Sequence, residues 1–130
     1  MARVFVYGTL KKGNEVRGMD KFPGAEYIGS GVTKDPLYDM LDLGSFPGVI
    51  ISKGNDRRLK ISGQVFEVTD KLFKQLDQIE GYPMFYNRME VATDLGKAWM
   101  YYIPNEGEYL LYKDLLSDQI QVKNGVATWL

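Results

Sequence analysis

The stretch Asp70-Lys-Leu-Phe-Lys-Gln-Leu-Asp-Gln-Ile-Glu80-Gly81 has the pattern of an amphipathic helix that ends at a glycine. Its apolar residues recur at the spacing of one helical face, which predicts that this face is buried. The apolar residues of this face are Leu72, Phe73, Leu76 and Ile79. Thr69 or Asp70 is suited to cap the first turn, and Gly81 is suited to stop the helix. The sequence therefore predicts one helix over residues 70–80.

Glu80 is the residue of this helix that points most directly to chemistry. At about 100° per residue its side chain projects within the apolar arc, one turn beyond Leu76. A partly buried carboxylate at the negative end of a helix dipole is expected to have a raised pKa, which suits a general acid or base. The alternative is that the helix end frays and Glu80 is solvated, and the helical pattern alone leaves both interpretations open.

The composition is typical of a single soluble globular domain spanning residues 1–130. Hydrophobic residues make up 45% of the chain and charged residues 25%, as in ordinary globular proteins. The chain has 16 Lys and Arg against 17 Asp and Glu, which argues against a nucleic-acid surface built on net charge. No apolar run has the length of a membrane span, and the chain begins with a strand pattern instead of a signal peptide. We therefore expect a cytoplasmic protein.

Two absences narrow the chemistry that this chain can perform. There is no cysteine and no histidine. Thiol nucleophiles, thiolate metal sites and Ser-His-Asp triads are thereby excluded, together with most zinc sites. If the protein is an enzyme, proton transfer must depend on Asp, Glu, Lys or Tyr, which favours Glu80 for this role.

Strand patterns surround the single helix. They fall at residues 2–7, 25–33, 36–41, 49–51, 61–68, 86–91 and 98–103, with a hairpin around Asn124-Gly125 near the end of the chain. The first strand is apolar on both faces and is expected to be central, whereas 108–116 is ambiguous between helix and strand. The charges of the turn 54–58 are expected to be solvated. Many short strands with one helix predict an α+β fold, with a curled, mostly antiparallel sheet or small barrel against the helix.

The turn Tyr7-Gly8-Thr9-Leu10, which follows the first strand, is a candidate ligand site. Gly8 frees the backbone for a sharp turn and for close approach of a ligand. Consecutive backbone N–H groups in such a turn can bind a carboxylate. The alternative is an ordinary turn without a ligand.

Further candidates are aromatic. Tyr86 and Arg88 are two residues apart on a predicted strand and share a face, so a phenol and a guanidinium would lie beside the carboxylate of Glu80. The alternative is a core tyrosine and a surface arginine. Tyr38 would line a pocket or fill the core. Only one of Tyr101 and Tyr102 can point inward on a strand, and a structural role is expected for this pair.

Taken in order, four motifs resemble the γ-glutamylcyclotransferase-like proteins, a superfamily that includes the γ-glutamylamine cyclotransferases. The resemblance extends from about residue 3 to residue 103. The motifs are Val4-Phe-Val-Tyr-Gly-Thr-Leu-Lys-Lys-Gly13, Leu37-Tyr38 with Phe46-Pro47-Gly48, Gly63-Gln-Val-Phe-Glu-Val68, and Leu76-Asp-Gln-Ile-Glu-Gly-Tyr82 with Tyr86-Asn87-Arg88.

The resemblance implies a mixed fold with a small β-barrel and a site for a γ-glutamyl group. The turn formed by Tyr7, Gly8, Thr9 and Leu10 would bind the α-amino and α-carboxylate groups through its backbone. Glu80 would be the catalytic acid and base, with Tyr38, Tyr86 and Arg88 as further substrate-binding candidates.

The implied reaction is an intramolecular cyclisation that releases 5-oxoproline and an amine from a small γ-glutamyl substrate, without metal or cofactor. The identity of the amine cannot be read from the motifs. Two other interpretations remain open at this stage. One is a non-catalytic module that binds a small carboxylate in the same cavity, and the other is a scaffold that binds a partner through exposed aromatic residues.

Overall fold

The computed structural model describes residues 1–11, 18–104 and 117–130. In these ranges the chain forms nine strands, one α-helix and a short 3₁₀ turn at Met19–Lys21. The strands are β1 (Ala2–Val6), β2 (Ala25–Val32), β3 (Tyr38–Asp42), β4 (Pro47–Ile51), β5 (Lys60–Val68), β6 (Asn87–Thr93), β7 (Gly96–Tyr102), β8 (Ile120–Lys123) and β9 (Val126–Trp129), and the helix is α1 (Asp70–Ile79). The ambiguous segment 108–116 lies outside the described residues.

Seven of the strands form one sheet in the order β6-β7-β1-β5-β9-β8, with β2 paired to the long strand β5. This sheet curls into a half-barrel, and β3 and β4 form a separate hairpin. Within the described ranges, only the pairs β1–β7 and β5–β9 are parallel. The predicted α+β fold with a mostly antiparallel curled sheet is therefore confirmed.

The first strand is central, as its apolar faces predict, because it pairs with β5 on one side and β7 on the other. Its side chains alternate between two cores. Val4 and Val6 pack with the residues of α1 in one buried cluster. Phe5 and Tyr7 belong to a second cluster on the opposite face. The strand therefore anchors both cores, and the turn that follows it is held in a fixed place.

Capping groups fix both ends of α1. Thr69 is the N-cap, and its hydroxyl oxygen accepts a hydrogen bond from the Leu72 N–H at 3.2 Å. Gly81 follows the helix with φ of +65°, and two hydrogen bonds close the end in a Schellman motif. These bonds run from Tyr82 N to Asp77 O at 2.8 Å and from Gly81 N to Gln78 O at 3.2 Å. The helix stop predicted at Gly81 is therefore confirmed, and it fixes the backbone of Glu80.

One expectation about side-chain exposure is wrong, and a second holds only in part. Leu72 and Leu76 are buried as predicted, but Ile79 is 39% exposed, because the last turn of the helix reaches the edge of the core. In the turn 54–58, Arg57 is not simply solvated. Its guanidinium lies 2.9 Å from the buried carboxylate of Asp39, because that strand carboxylate needs a partner inside the protein. Among the described residues, no helix combines the length and the apolar character needed to cross a membrane.

We predict that Gly81→Ala lowers the free energy of unfolding by about 1–2 kcal/mol, the usual cost of a left-handed conformation for a residue with a Cβ. The new Cβ would also lie 3.2 Å from the Cβ of Phe85. Gly54→Ala is a matched control, since Gly54 has φ of +53° and open space around its Cα. Chemical denaturation measures both variants. An equal or smaller loss in Gly81→Ala than in the control would show that the contact with Phe85 is unimportant.

Candidate functional site

A cavity of about 210 Å³ opens where the end of β1, the end of α1 and the loop before β6 meet. It brings Glu80 together with the turn of residues 7–10 and with Tyr86, as the spacing of the motifs predicts. The rest of the lining is largely apolar. The lining residues are Phe5, Val6, Tyr7, Gly8, Thr9, Leu10, Phe46, Pro47, Ile79, Glu80, Phe85, Tyr86 and Tyr101.

The turn after β1 lines this cavity with Gly8, Thr9 and Leu10. Two of its carbonyl groups accept hydrogen bonds, since Lys11 N donates to Gly8 O at 3.0 Å and Met19 N donates to Leu10 O at 2.9 Å. Among the described residues, the backbone N–H groups of Gly8, Thr9 and Leu10 donate to no protein acceptor. Unpaired backbone N–H groups near a cavity are uncommon and suit an anionic ligand such as a carboxylate.

Part of the expectation for Gly8, that the sharp turn itself needs a glycine, is wrong. Its φ lies outside the left-handed region, so the turn itself does not require a glycine. A Cβ at this position would lie 2.8 Å from the ring atoms Cγ and Cδ of Pro47. The close packing of Pro47 against the backbone therefore explains the glycine, and this packing forms one side of the cavity.

The loop that follows α1 folds back over the helix end and carries Tyr86 into the cavity. Tyr86 N donates to Glu80 O at 3.3 Å, and Phe85 N donates to Gly81 O at 2.8 Å. The Tyr86 hydroxyl donates to the carbonyl oxygen of Pro47 at 2.6 Å. The aromatic rings of Phe85 and Tyr86 pack edge to face, with their centroids 4.8 Å apart. These contacts join the two sides of the cavity.

Two further tyrosines of the cavity, Tyr7 and Tyr101, are influenced by the charge of Glu80. The Tyr7 hydroxyl donates to the backbone carbonyl of Tyr101 at 2.8 Å and accepts from Val49 N at 3.2 Å. The Tyr101 hydroxyl donates to Asp77 Oδ1 at 2.6 Å. Burial raises the pKa of both phenols, and the charge of Glu80 adds to each increase. Glu80 is therefore within electrostatic reach of both hydroxyl groups, and both tyrosines remain protonated at neutral pH.

The structure does not bring Tyr38 and Arg88 to the cavity. Tyr38 is buried in the second core cluster, at the beginning of β3. Arg88 forms an ion pair with Asp77, from Nε to Oδ1 at 2.9 Å, and its guanidinium lies over the rings of Phe73, Tyr82 and Trp99. For Tyr38 the open alternative of a core residue is therefore the one the structure shows. The Arg88 assignment depended on a strand face shared with Tyr86, and Arg88 pairs with Asp77 of the helix instead.

Tyr101 is the cavity residue that the sequence reasoning placed outside the site. Alternation along β7 correctly predicts that only one member of the Tyr101-Tyr102 pair is buried, and Tyr101 is that residue, at 4% exposure. Nothing in the local sequence shows that β7 lies beside β1, which is the pairing that carries Tyr101 to the cavity. Phe46, Ile79 and Phe85 line the cavity for the same reason of tertiary proximity. Within the described ranges, no group of three or more acidic side chains is arranged to hold a metal ion.

Comparison with known proteins identifies the family. Residues 4–119 match the family described as gamma-glutamyl cyclotransferase, AIG2-like. This chain therefore belongs to that family. A protein of Methanocaldococcus jannaschii, named provisionally as a gamma-glutamylcyclotransferase, is 34% identical over 123 residues, which cover 88% of this chain and 98% of the relative.

Two mammalian proteins extend the comparison. The gamma-glutamylaminecyclotransferase of Rattus norvegicus is 34% identical over 99 residues, which cover 68% of this chain and 60% of the rat protein. The crystal structure of an AIG2-like protein from Mus musculus superposes with a TM-score of 0.73 and covers 100% of this chain and 95% of the mouse chain. At 22% identity, this likeness shows that the fold is shared.

We predict that the buried phenols make the protein sensitive to alkaline pH. Because the pKa values of Tyr7 and Tyr101 are raised in the folded state, their stabilising effect is complete below pH 10 and is lost as the pH rises toward the folded pKa values. Above about pH 10, each such tyrosine lowers the free energy of unfolding by up to about 1.4 kcal/mol per pH unit. The measurement is urea denaturation at a series of pH values.

The variant Tyr7→Phe should have a shallower dependence on pH than the wild type, because one titrating group is gone. Phe5→Leu is the control, since it lowers stability without removing a titratable side chain. Identical slopes for Tyr7→Phe and the wild type would contradict the prediction.

Proposed function

We propose that this protein is a γ-glutamyl cyclotransferase that releases 5-oxoproline and an amine from a γ-glutamyl amide, with Glu80 as general acid and base. The observation that carries the proposal is that Glu80 shares one cavity with the turn at Gly8, Thr9 and Leu10, whose backbone N–H groups have no acceptor among the described residues. An α-amino acid unit carries an ammonium group and a carboxylate on one carbon. The carboxylate of Glu80 suits the ammonium group, and the N–H groups suit the carboxylate. The chain's membership of the cyclotransferase family supports this assignment.

Glu80 would begin the reaction by removing a proton from the α-ammonium group, since an ammonium nitrogen has no lone pair with which to attack. The α-nitrogen then attacks the γ-carbonyl carbon, and a five-membered ring forms. The turn after β1 would hold the substrate folded, with its two ends close together. This removes much of the orientational cost of cyclisation.

The tetrahedral intermediate collapses when the bond from the γ-carbon to the leaving nitrogen breaks. Of the two protons that the attacking nitrogen loses, Glu80 passes one to the leaving nitrogen. The other is released to solvent or is bound by the product amine. N–H groups of the turn at Gly8 to Leu10 would stabilise the negative charge that develops on the carbonyl oxygen.

The product distinguishes this mechanism from hydrolysis. We predict that incubation with a panel of γ-glutamyl amines, γ-glutamyl amino acids and glutathione yields 5-oxoproline from at least one compound, as measured by mass spectrometry. N-acetylation of the α-amine should abolish the reaction, because that nitrogen is the nucleophile. Glu80→Gln should keep the fold and reduce turnover by about 10²–10⁴-fold.

Glu90→Gln is the matched control, since it makes the same exchange at an exposed position on β6. Free glutamate as the sole product, or equal turnover of the acetylated substrate, would contradict the cyclisation mechanism. Binding of these compounds without any turnover would instead identify a non-catalytic module for small carboxylates.

We also predict that Gly8→Val abolishes binding of γ-glutamyl compounds and leaves most of the secondary structure intact. The new side chain would displace Pro47 or the turn, and both form part of the cavity. Gly29→Val is the control, because the Cβ at this position would approach only the side-chain end of Leu95, with Cδ1 at 3.1 Å, away from the cavity lining. Calorimetry and circular dichroism measure the two effects. Unchanged affinity in Gly8→Val would rule out the turn as the recognition element.

A further inference from the structure

Tyr101 connects the cavity to an ion pair that lies outside it. Its side chain lines the cavity, and its hydroxyl donates to Asp77 Oδ1 at 2.6 Å. Asp77 lies one helical turn before Glu80 on α1 and is paired with Arg88 of β6. The proposed reaction assigns no role to these three residues.

The position of the Asp77 carboxylate is tightly fixed. Arg88 donates to it twice, from Nε to Oδ1 at 2.9 Å and from Nη2 to Oδ2 at 3.3 Å. The guanidinium is itself held over three aromatic rings, with its central carbon 4.4 Å, 4.5 Å and 5.0 Å from the ring centroids. The rings are those of Phe73, Tyr82 and Trp99. Because the Asp77 carboxylate is held by two hydrogen bonds from Arg88 and is largely buried, it has little freedom to rotate.

The hydrogen bond from Tyr101 to this carboxylate has a defined direction. A carboxylate carries no hydrogen, so the phenol must donate its only proton to Asp77. The phenol oxygen keeps lone pairs that can accept, and among the described residues no N–H or O–H group donates to it. Burial, the hydrogen bond and the charge of Asp77 together raise the pKa of Tyr101, so the proton stays in place over the physiological range.

The neighbouring tyrosine hydroxyls also donate their protons to protein acceptors. The Tyr7 hydroxyl both donates and accepts within the protein. The Tyr86 hydroxyl gives its proton to Pro47 O. Tyr101 is thus a cavity tyrosine whose oxygen has acceptor capacity left for a ligand and lies within electrostatic reach of Glu80.

We propose that Asp77 and Arg88 are positioning residues that make the Tyr101 hydroxyl a fixed hydrogen-bond acceptor for the α-ammonium group of the ligand. Tyr101 and Glu80 would then hold two of the three ammonium N–H groups. The proposal depends on the proposed function only for the kind of ligand, one that carries an α-ammonium group.

L-Glutamate and glutarate test the proposal, because they differ only in the α-amino group and contain no amide to cleave. Calorimetry of the wild type should show tighter binding of L-glutamate. Tyr101→Phe should weaken the binding of L-glutamate by about 10-fold or more, the usual effect of a lost hydrogen bond to a charged group. Glutarate affinity should change less than about twofold. Asp77→Asn should give the same selective loss of L-glutamate binding, since the Tyr101 hydroxyl would no longer be held in one orientation by a carboxylate.

Asp70→Asn, an exposed change on the same helix, is the control and should change neither affinity. The double variant Tyr101→Phe/Asp77→Asn should lose little more than either single variant, because both changes remove one interaction. If Tyr101 and Asp77 had a purely structural role, the variants would bind both ligands more weakly by the same factor. That result would overturn the proposal. Equal affinity of the wild type for both ligands, or no binding of L-glutamate, would also overturn it. If Asp77→Asn fails to fold, Tyr101→Phe alone decides the question.

The kinetic outcome separates this inference from the proposed function. In a protein that turns over, Tyr101→Phe should raise KM and leave kcat nearly unchanged, because the acceptor binds the substrate ammonium before it loses its proton. Glu80→Gln should instead lower kcat. Selective loss of L-glutamate binding in a protein that releases no 5-oxoproline would support the inference and contradict the cyclotransferase activity. Release of 5-oxoproline without such selectivity would overturn the inference alone.

Discussion

The end of the helix α1 carries two carboxylates, Asp77 and Glu80, at the negative pole of the helix, and its last turn contains no basic residue. Such an arrangement is unfavourable unless a positive charge from elsewhere offsets it. Arg88 on β6 supplies this charge through its ion pair with Asp77. The ion pair fastens the helix to the β6–β7 hairpin, and the cavity lies beside this junction. This ion pair and the left-handed residue at Gly81 help to fix the helix end that carries Glu80.

The central strand β1 imposes a second constraint, because its alternating side chains belong to two separate cores. A shift of one residue in its pairing would exchange the residues of the two cores, so its register is strongly specified. The turn at Gly8 to Leu10 begins where this register ends. The proposed binding of a ligand through the N–H groups of this turn would need a rigid support, and the two cores provide it.

The cavity is divided between donors and acceptors. Backbone N–H groups of the turn after β1 have no acceptor among the described residues. The polar side chains of the cavity are the carboxylate of Glu80 and phenols that donate their protons to protein acceptors. Backbone donors and buried, fixed hydroxyls do not need to reorganise when a ligand binds, which favours selectivity for one orientation of a zwitterion. Apolar side chains such as Phe46 and Phe85 enclose this polar pattern and reduce its contact with water.

The features determined by the sequence alone are those that local interactions encode. The helix and its caps at Thr69 and Gly81 follow from periodicity and from backbone conformation within a few residues. The β8–β9 hairpin follows from Asn124 and Gly125, both of which adopt positive φ angles. The position of Glu80 near the turn 7–10 can be predicted from the sequence, because the helical pattern and the family motifs point to the same residue.

Only the tertiary structure decided which side chains meet across the fold. Tyr101 reaches the cavity because β7 pairs in parallel with β1, Arg88 turns to the helix because the sheet curls, and Tyr38 enters the second core. Ile79 lies on the apolar face of the helix, but the core that this face contacts ends before the last helical turn, so Ile79 is partly exposed. Strand alternation defines the two faces of a strand and leaves open what each face contacts. The contacts of a face depend on strand order and sheet curvature, which arise from residues far apart in the chain.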